Sequence, residues 1–262
     1  MKKYLVLLLL LFIISCEEDS KNPINNDNDN NSQTPTELAM NLVQTPANSQ
    51  RVDHFAYYLS YNEEHEQADY VAYQLLASEL ADNYGRTDDF REDPLVTTET
   101  ANDDDYKGSG YDRGHLMPAA DCAWNLTAMT ESFYYSNITP QNPSFNRGLW
   151  LRLENQVREW AIQYDSLYVI TAGILNNELV KIGDNQVSVP NSYYKILLYQ
   201  NGNEYKSIAF IMDNENSQLD LISFANTIDD AEEITGLDFF GILNDEIENQ
   251  IESEVDLNFW FP

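Results

Sequence analysis

The chain has few basic residues. Of its 262 residues, 14 are Lys or Arg and 44 are Asp or Glu, so its formal net charge is −30 at pH 7. Proteins that hold nucleic acid tightly usually present a basic surface, and this composition alone argues against such a ligand. Histidine is also scarce, with three residues, so a histidine within a cluster of polar residues is a candidate for proton transfer near neutral pH.

Cysteine is nearly absent, since only Cys16 and Cys122 occur. If Cys16 is modified, no intramolecular disulfide can form, and an oxidising compartment adds nothing to stability. Cys122 lies close to the histidine motif described below, where a catalytic thiol is conceivable. Free cysteines are more often small buried hydrophobic side chains, and we expect Cys122 to be structural.

No apolar run is long enough to span a membrane. The run at residues 4–14 has eleven residues, whereas a transmembrane helix needs roughly 20. It follows two lysines and ends in "IISC", which is typical of a secretory signal and resembles a bacterial lipobox. We therefore expect residues 1–15 to be a lipoprotein signal peptide, lipidation at Cys16, and export to the outer membrane, facing either the periplasm or the cell surface.

Residues 16–50 are predicted to form a disordered tether. The run "KNPINNDNDNNSQTPT" has almost no large apolar side chains and cannot bury enough surface to fold. "DNDNN" could suggest a calcium loop, but its sixth position is Ser32 instead of Gly and its twelfth is Leu38 instead of Glu. The remaining residues, 51–262, are enough for one domain with a sizeable core.

The pattern of residues 51–262 predicts an α+β fold. Strands and helices come in separate blocks, which favours a central antiparallel sheet with flanking helices. The Asn201-Gly202 pair indicates a hairpin turn. The predicted strands are 55–61, 70–76, 136–139, 167–174, 193–200 and 205–212, and the predicted helices are 126–135, 144–164, 228–236 and 245–254.

The helix at 144–164 has the strongest pattern. Ser144 is expected to be its N-cap, after Pro143. Asn146, Glu154 and Arg158 are separated by multiples of four residues, so we expect them along one slowly drifting face. Its apolar positions recur at intervals of three and four residues: Leu149, Leu153, Val157, Trp160 and Tyr164.

The segment 106–160 differs from the rest of the chain in its charge and chemistry. It contains five basic and five acidic residues and is neutral, so the excess of acid lies elsewhere. His115 is its only histidine, suited to accept a proton. The carboxamides of Asn137 and Asn146 are neutral oxygen ligands suited to magnesium, while Glu154 and Arg158 could hold the waters of a metal and a phosphate.

Two stretches carry a family resemblance. "YDRGHLMPAAD" and "SNITPQNPSFNRGLWLRLENQVREWA" resemble the DNA/RNA non-specific endonucleases of the ββα-metal superfamily. That family has an Asp-Arg-Gly-His block followed about thirty residues later by an asparagine that opens a helix. Here, 31 positions separate His115 from Asn146. Further resemblance in "GRTDDFREDP" and "ITGLDFF" extends it over 51–262 and implies a ββα-metal motif.

The resemblance implies a role for the polar residues of the motif. His115 would be the general base that removes a proton from the attacking water. Asn146 would be the one direct protein ligand of Mg²⁺, with Mn²⁺ as an alternative. Glu154 would hold the waters of that metal, and Asn137 would orient the metal site or His115. Asp112 is expected to orient its neighbours and not to bind the metal.

Arginines complete the predicted site. Arg86 would steady the charge of the phosphate during attack, and Arg113 and Arg158 would assist the phosphate or the product. Arg91 lies five residues after Arg86 among the same acidic residues, and it stays an alternative for that role. An ordinary i,i+4 ion pair between Glu154 and Arg158 is the competing interpretation of the helix residues.

The expected function is metal-dependent, sequence-non-specific cleavage of DNA and RNA. Two alternatives stay open: a catalytically silent surface-binding lipoprotein on the same fold, and a phosphodiesterase for smaller nucleotides. His54 and His65 lack a comparable context and are expected to be surface or structural residues. Leu116, Met117 and Trp150 are expected in the core.

Overall fold

A seven-stranded antiparallel sheet forms the centre of the fold. The computed structural model describes residues 41–262, and in it the strands follow the order β1-β2-β3-β6-β9-β10-β11 across the sheet. The strands are β1 (Gln50–Asp53), β2 (Tyr58–Asn62), β3 (Gln67–Leu76), β4 (Asp112–His115), β5 (Ile138–Gln141), β6 (Ser166–Gly173), β7 (Lys181–Ile182), β8 (Val187–Ser188), β9 (Ser192–Asn201), β10 (Glu204–Asp213) and β11 (Ala225–Asn226). The helices are α1 (Asp103–Tyr106), α2 (Leu126–Glu131), α3 (Leu151–Tyr164), α4 (Ile228–Thr235), α5 (Asp245–Ser253) and α6 (Leu257–Trp260).

The central strands are buried along almost their whole length. β6 is buried from Leu167 to Gly173, as expected for a strand whose two faces are both covered. Helix α3 contacts β3 and β6, and α4 and α5 contact β10. The predicted hairpin is confirmed: Asn201 pairs with Glu204, and Gly202 in the turn has a φ of +59°, which glycine adopts without strain.

A separate two-stranded ladder carries the histidine motif. β4 and β5 are antiparallel, with Asp112 opposite Gln141 and His115 opposite Ile138. The chain then enters a π-helical turn, Phe145–Trp150, that continues directly into α3. This order of two strands and a helix is the ββα motif, so the predicted fold class, an α+β fold with a central antiparallel sheet and a ββα motif, is confirmed.

The prediction that Ser144 caps the long helix is wrong. Ser144 already has helical backbone angles and its side chain caps nothing. The side chain of Asn142 instead accepts the Ser144 N–H at 2.9 Å, and its carbonyl accepts the N–H of Asn146 at 2.9 Å. Pro143 thus occupies the first helical position, where its missing N–H is not needed.

The folded part of the chain begins earlier than predicted. Leu42 and Val43 are buried, and Val43 forms a β-bridge with Phe239. The predicted boundary at residue 50 is therefore set too late, because these two apolar side chains complete the core. The predicted signal peptide, Cys16 and most of the predicted tether lie outside the described residues. Within residues 41–262, no helix combines the length and apolar character needed to cross a membrane.

Candidate active site

A cleft of about 680 Å³ opens beside β4 and the π-helical turn. The charged side chains that line it are balanced in sign. Four basic side chains (Arg86, Lys107, Arg113 and Arg147) and four acidic ones (Asp88, Asp103, Asp104 and Asp112) line it, together with Asn146 and aromatic residues.

Asp112 fixes the orientation of Asn146. The Nδ2 group of Asn146 donates to Asp112 Oδ2 at 2.9 Å, and Arg147 donates to both carboxylate oxygens at 2.6 and 2.8 Å. With its amide group so engaged, the Asn146 Oδ1 atom accepts no hydrogen bond within residues 41–262. Asp112 thus orients its neighbour, as predicted, and leaves the carboxamide oxygen available.

His115 is the last residue of β4 and is buried between aromatic rings. Its ring centroid lies 4.9 Å from that of Phe133 and 5.6 Å from that of Phe90. Its Nε2 atom is buried and has no hydrogen-bond partner among the described residues. Burial, with the nearby charges of Arg86 and Arg113, lowers the pKa of His115 to about 3. The imidazole is therefore neutral at pH 7 and can accept a proton.

Gly114 is a glycine because another side chain occupies the space beside it. A Cβ atom there would lie 2.3 Å from Cδ and Oε1 of Gln141, the residue two positions along the facing strand. Gln141 is fully buried, yet neither atom of its carboxamide has a hydrogen-bond partner in the described part of the chain. Sequence analysis missed Gln141, because only the β4–β5 register places it beside the motif.

The cleft arginines are held by aspartates and aromatic rings. Arg86 pairs with Asp88 and lies over the Phe133 ring at 4.9 Å. Arg113 pairs with Asp103 and lies over the Phe90 ring at 3.9 Å. Each guanidinium is thus preoriented by stacking, and its aspartate can be exchanged for a phosphate of the same charge.

Arg91 lies in a different place. It pairs with Asp89 and lies over the Tyr134 ring at 4.3 Å, and it lines a neighbouring groove that lacks Asn146 and Arg113. Of Arg86 and Arg91, only Arg86 shares the cleft with Asn146 and exerts a charge effect on His115.

The carboxamide of Asn137 is fully used by backbone groups. Its Oδ1 accepts the N–H of Met117 at 2.8 Å, and its Nδ2 donates to the carbonyls of Met117 and Ser132 at 3.0 and 2.9 Å. These hydrogen bonds hold the chain that directly follows His115. Of the two predicted roles, they favour orienting His115 over orienting the metal site.

Glu154 and Arg158 do not pair with each other. Arg158 donates to the buried Asp121 at 2.8 Å and to Asn155 Oδ1 at 2.7 Å. Asp121 also accepts the hydroxyl of Tyr73 at 3.1 Å. The i,i+4 ion pair is thus absent from the part of the chain that the structure describes, since a buried aspartate competes for the arginine.

The three predicted helix residues differ in their surroundings. Of Asn146, Glu154 and Arg158, only Asn146 lines the cleft, while the charge of Arg86 in the cleft acts on Glu154. Asn146 lies in the π-helical turn, which has more residues per turn than the α-helix α3. Counting in steps of four from Asn146 therefore does not predict which side chains of α3 point in the same direction. Direct contact of Arg158 with a phosphate is not supported, because Asp121 holds its guanidinium.

A buried lysine accompanies Glu154. Lys195, in β9, is 1% exposed, and its ammonium has no hydrogen-bond partner within residues 41–262. Its Nζ lies 4.8 Å from the centroid of the Trp150 ring. Burial raises the pKa of Glu154 to about 7, and Lys195 is the strongest of the charges that oppose this rise. Sequence analysis missed Lys195, which stands alone within an apolar strand.

The oxygen donors beside the cleft fit a hard divalent cation. Asn146 presents an unpartnered carboxamide oxygen, and the Asp112 carboxylate lies next to it. Glu154 does not line the cleft, but its half-buried carboxylate, which has no hydrogen bond in the described residues, is affected by the charge of Arg86 in the cleft. Oxygen atoms of this type are the ligands that Mg²⁺ and Mn²⁺ prefer.

The remaining histidines and Cys122 are structural. His54 Nε2 lies 2.8 Å from Asp93 Oδ2, and His65 Nδ1 lies 2.8 Å from Ser188 Oγ. Both histidines are buried, so the surface alternative is wrong. Cys122 is fully buried and burial raises the pKa of its thiol, which excludes a reactive thiolate. The predicted core residues Leu116, Met117 and Trp150 are confirmed as buried.

Comparison with known proteins agrees with this geometry. The sequence profile of the DNA/RNA non-specific endonuclease family matches residues 35–246. The chain is 33% identical over 235 residues to a Nuclease from Nostoc sp. (strain PCC 7120), covering 85% of this chain and 82% of that protein. It is 34% identical over 202 residues to the mitochondrial Nuclease EXOG of Danio rerio, covering 71% of this chain but spanning only 59% of that protein.

A solved structure is similar over most of the fold. It is the EndoG/EndoGI complex, matched with a TM-score of 0.69 and 29% identity over 74% of this chain and 86% of that chain. The chain therefore belongs to the DNA/RNA non-specific endonuclease family, whose members are metal-dependent nucleases.

Proposed function

We propose that this protein is an endonuclease that hydrolyses phosphodiester bonds of DNA and RNA without sequence preference, with His115 as general base and Mg²⁺ or Mn²⁺ at Asn146. One observation carries the proposal: an oriented asparagine with a free oxygen and two stacked arginines line one cleft, and the neutral imidazole of His115 is buried where the charges of both arginines act on it.

The chemistry of the cleft residues follows from their surroundings. His115 is uncharged at pH 7 and takes a proton from the attacking water. Its basicity in the free protein is low because Arg86 and Arg113 are close. A phosphate diester that pairs with these arginines offsets their charge, so binding of the substrate raises the pKa of the base when it is needed.

The arginines and the metal act on the phosphate. Arg86 and Arg113 exchange Asp88 and Asp103 for phosphate oxygens and present preoriented cations to the charge that develops during attack. A divalent cation held by Asn146, with Glu154 nearby, would supply a counter-charge for the phosphate and assist departure of the 3′ oxygen. Arg86 is proposed for the phosphate in preference to Arg91, because only Arg86 lines the cleft.

Other residues position this machinery without touching the substrate. Asn137 holds the backbone after His115. Lys195 favours the ionised form of Glu154. Arg158, which is held by Asp121, favours the same ionised form through its charge.

The test is cleavage of plasmid DNA and of structured RNA by the purified protein with Mg²⁺, Mn²⁺ or EDTA. We expect cleavage of both polymers with either metal and none with EDTA. His115→Ala should lose activity by about 10²–10⁴-fold, the usual contribution of a general base. Ser144→Ala, an exposed change near the cleft with no predicted effect, is the control.

The same assay separates the alternatives. Binding of DNA without cleavage by the wild-type protein would favour the silent binding protein. Cleavage of dinucleotides but not of polymers would favour a small phosphodiesterase. Ordinary cleavage by His115→Ala would contradict the assignment of the general base.

We propose further that the protein is an exported lipoprotein, lipidated at Cys16 and anchored in the outer membrane. The signal pattern of residues 1–15 supports this proposal. Cys16→Ala should abolish labelling by a radioactive fatty acid and release the protein from the membrane fraction of the producing cells. Unchanged labelling would contradict it.

A further inference from the structure

Three carboxylates from two helices meet at a distance from the cleft. Asp229 and Glu232 belong to α4 and Glu252 to α5, and one oxygen from each lies within 4.8 Å of the other two. None of them lines the cleft that holds Asn146.

Glu252 is the unusual member of this group. Its residue surface is only 8% exposed, and its Oε1 atom is buried without a hydrogen-bond partner in residues 41–262. Burial and the negative charges of Glu232, Glu248, Asp229 and Asp238 raise the pKa of Glu252 to about 8. No lysine or arginine of the described chain forms an ion pair with Asp229, Glu232 or Glu252.

A buried carboxylate needs compensation. Buried charges in proteins are paired or bind metals, and an unpaired buried charge destabilises the folded state. Asp229, Glu232 and Glu252 lack a basic partner but have oxygen atoms that converge, so a cation would satisfy the buried oxygen and remove their mutual repulsion.

We propose that Asp229, Glu232 and Glu252 form a structural Ca²⁺ site that joins α4 to α5. Ca²⁺ binds oxygen atoms at about 2.3–2.6 Å in flexible geometry, so a single ion can touch oxygen atoms up to 4.8 Å apart. Mg²⁺ binds at about 2.0–2.1 Å in strict octahedral geometry and keeps most of its waters, which three carboxylates at this spacing serve less well.

The site would stabilise the last part of the fold. Glu232 also accepts the N–H of Phe239 at 2.8 Å, and Phe239 pairs with Val43 near the start of the described chain. On the other side, the carbonyl of Ile251, next to Glu252, accepts the hydroxyl of Ser207 in β10. A cation between the helices would thus strengthen the links of α4 to the Val43 bridge and of α5 to β10.

The test measures thermal unfolding of the full chain, stripped with EDTA and then titrated with CaCl₂ or MgCl₂. We expect Ca²⁺ at about a hundredfold excess over its dissociation constant to raise the Tm by roughly 5–10 °C. Asp229→Asn and Glu252→Gln should lose this increase. Glu246→Gln, an exposed change on the same helix α5, should keep it.

Counting bound ions separates this site from the cleft. With Ca²⁺ and Mn²⁺ together, equilibrium dialysis should find one fewer Ca²⁺ per chain in Asp229→Asn, while Asn146→Ala keeps that Ca²⁺. Asp229 is exposed, so its variant should fold even if Glu252→Gln does not. An equal rise of Tm in the wild type and Asp229→Asn, or none in the wild type, would overturn the proposal and would favour a protonated Glu252 instead.

Discussion

Glu154 is a residue of the proposed site whose ionisation the fold moves toward neutral pH. Burial raises its pKa to about 7, against the opposing charges of Lys195, Arg158 and Arg86. Below this pH the carboxyl group is mostly protonated and has no charge to attract a cation. Above it the carboxylate is ionised. Because only the ionised Glu154 carboxylate attracts a cation, we expect higher activity above about pH 7 than below it.

We predict that kcat/KM rises with pH through a pKa near 7 at low Mg²⁺ concentration. Because a bound cation favours the carboxylate, this limb should move to lower pH as Mg²⁺ is increased. The measurement is a pH profile from 5 to 9 at two Mg²⁺ concentrations. Glu154→Gln should be weakly active and lack the limb, whereas Glu159→Gln, exposed on the same helix, should keep it. If the rise in kcat/KM with pH changes neither with the Mg²⁺ concentration nor in Glu154→Gln, Glu154 is not the group that titrates.

Arg86 and Arg91 form a natural matched pair. Both pair with an aspartate two residues away and both lie over an aromatic ring, but only Arg86 lines the cleft. We predict that Arg86→Ala lowers kcat by about 10²–10³-fold, as for loss of a preoriented group that stabilises transition-state charge. Arg91→Ala should change kcat less than about threefold. Steady-state kinetics would decide, and a larger loss in Arg91→Ala would reverse the assignment.

Motif spacing predicted the residues that the family signature itself contains, and not those that tertiary packing adds. His115 and Asn146 follow from the Asp-Arg-Gly-His block and the 31-residue interval. Lys195 could not be predicted, because its place beside Trp150 depends on how α3 packs on the sheet. Gln141 was hidden for a related reason, since only strand register brings it beside Gly114.

At the scale of elements, the β4–β5 ladder depends on one missing side chain. Gly114 leaves space that Gln141 fills, and a Cβ there would lie 2.3 Å from Gln141 atoms. We predict that Gly114→Ala lowers the free energy of unfolding by about 1–3 kcal/mol, a typical cost of overpacking. Urea denaturation measures this cost.

Gly85→Ala is the control for this prediction. Nothing lies within 4 Å of a Cβ at Gly85, and its φ is not positive, so its effect should stay within about 1 kcal/mol. Adding Gln141→Ala to Gly114→Ala should recover much of the lost stability. No recovery would mean that the cost has another source than this contact.

The long helix shows where periodicity stops being informative. The apolar spacing predicted a helix through 144–164, and α3 with its preceding π turn covers this range. A π turn has no periodic signature, because it is stabilised by its contacts and not by residue spacing. Such turns often occur at functional sites, and this one carries Asn146. Long buried strands such as β6 were predicted, because they are continuous apolar runs. The short strands β1, β4, β7, β8 and β11 were not predicted, because each has at most four residues.

At the scale of the whole molecule, the protein has a net charge of −30, and its cleft has no excess of basic side chains. The basic side chains of the cleft are matched in number by aspartates, so a nucleic acid gains few new ion pairs when it binds. Affinity that rests on many phosphate contacts is lost steeply with salt, with a slope near −0.9 for each contact in B-DNA. A protein built in this way should bind weakly, with a high KM, and depend little on salt.

We predict that log(kcat/KM) on plasmid DNA falls with log[NaCl] at a slope no steeper than about −2, which corresponds to phosphate contacts of Arg86 and Arg113 alone. The measurement keeps Mg²⁺ saturating, because Mg²⁺ itself competes for DNA. Asp104 lines the cleft and its carboxylate pairs with no basic side chain in residues 41–262, so Asp104→Asn should lower KM at low salt. Glu204→Gln, exposed at the β9–β10 turn, removes the same charge elsewhere. An equal effect of the two variants would show that the total charge, and not the cleft, sets the affinity.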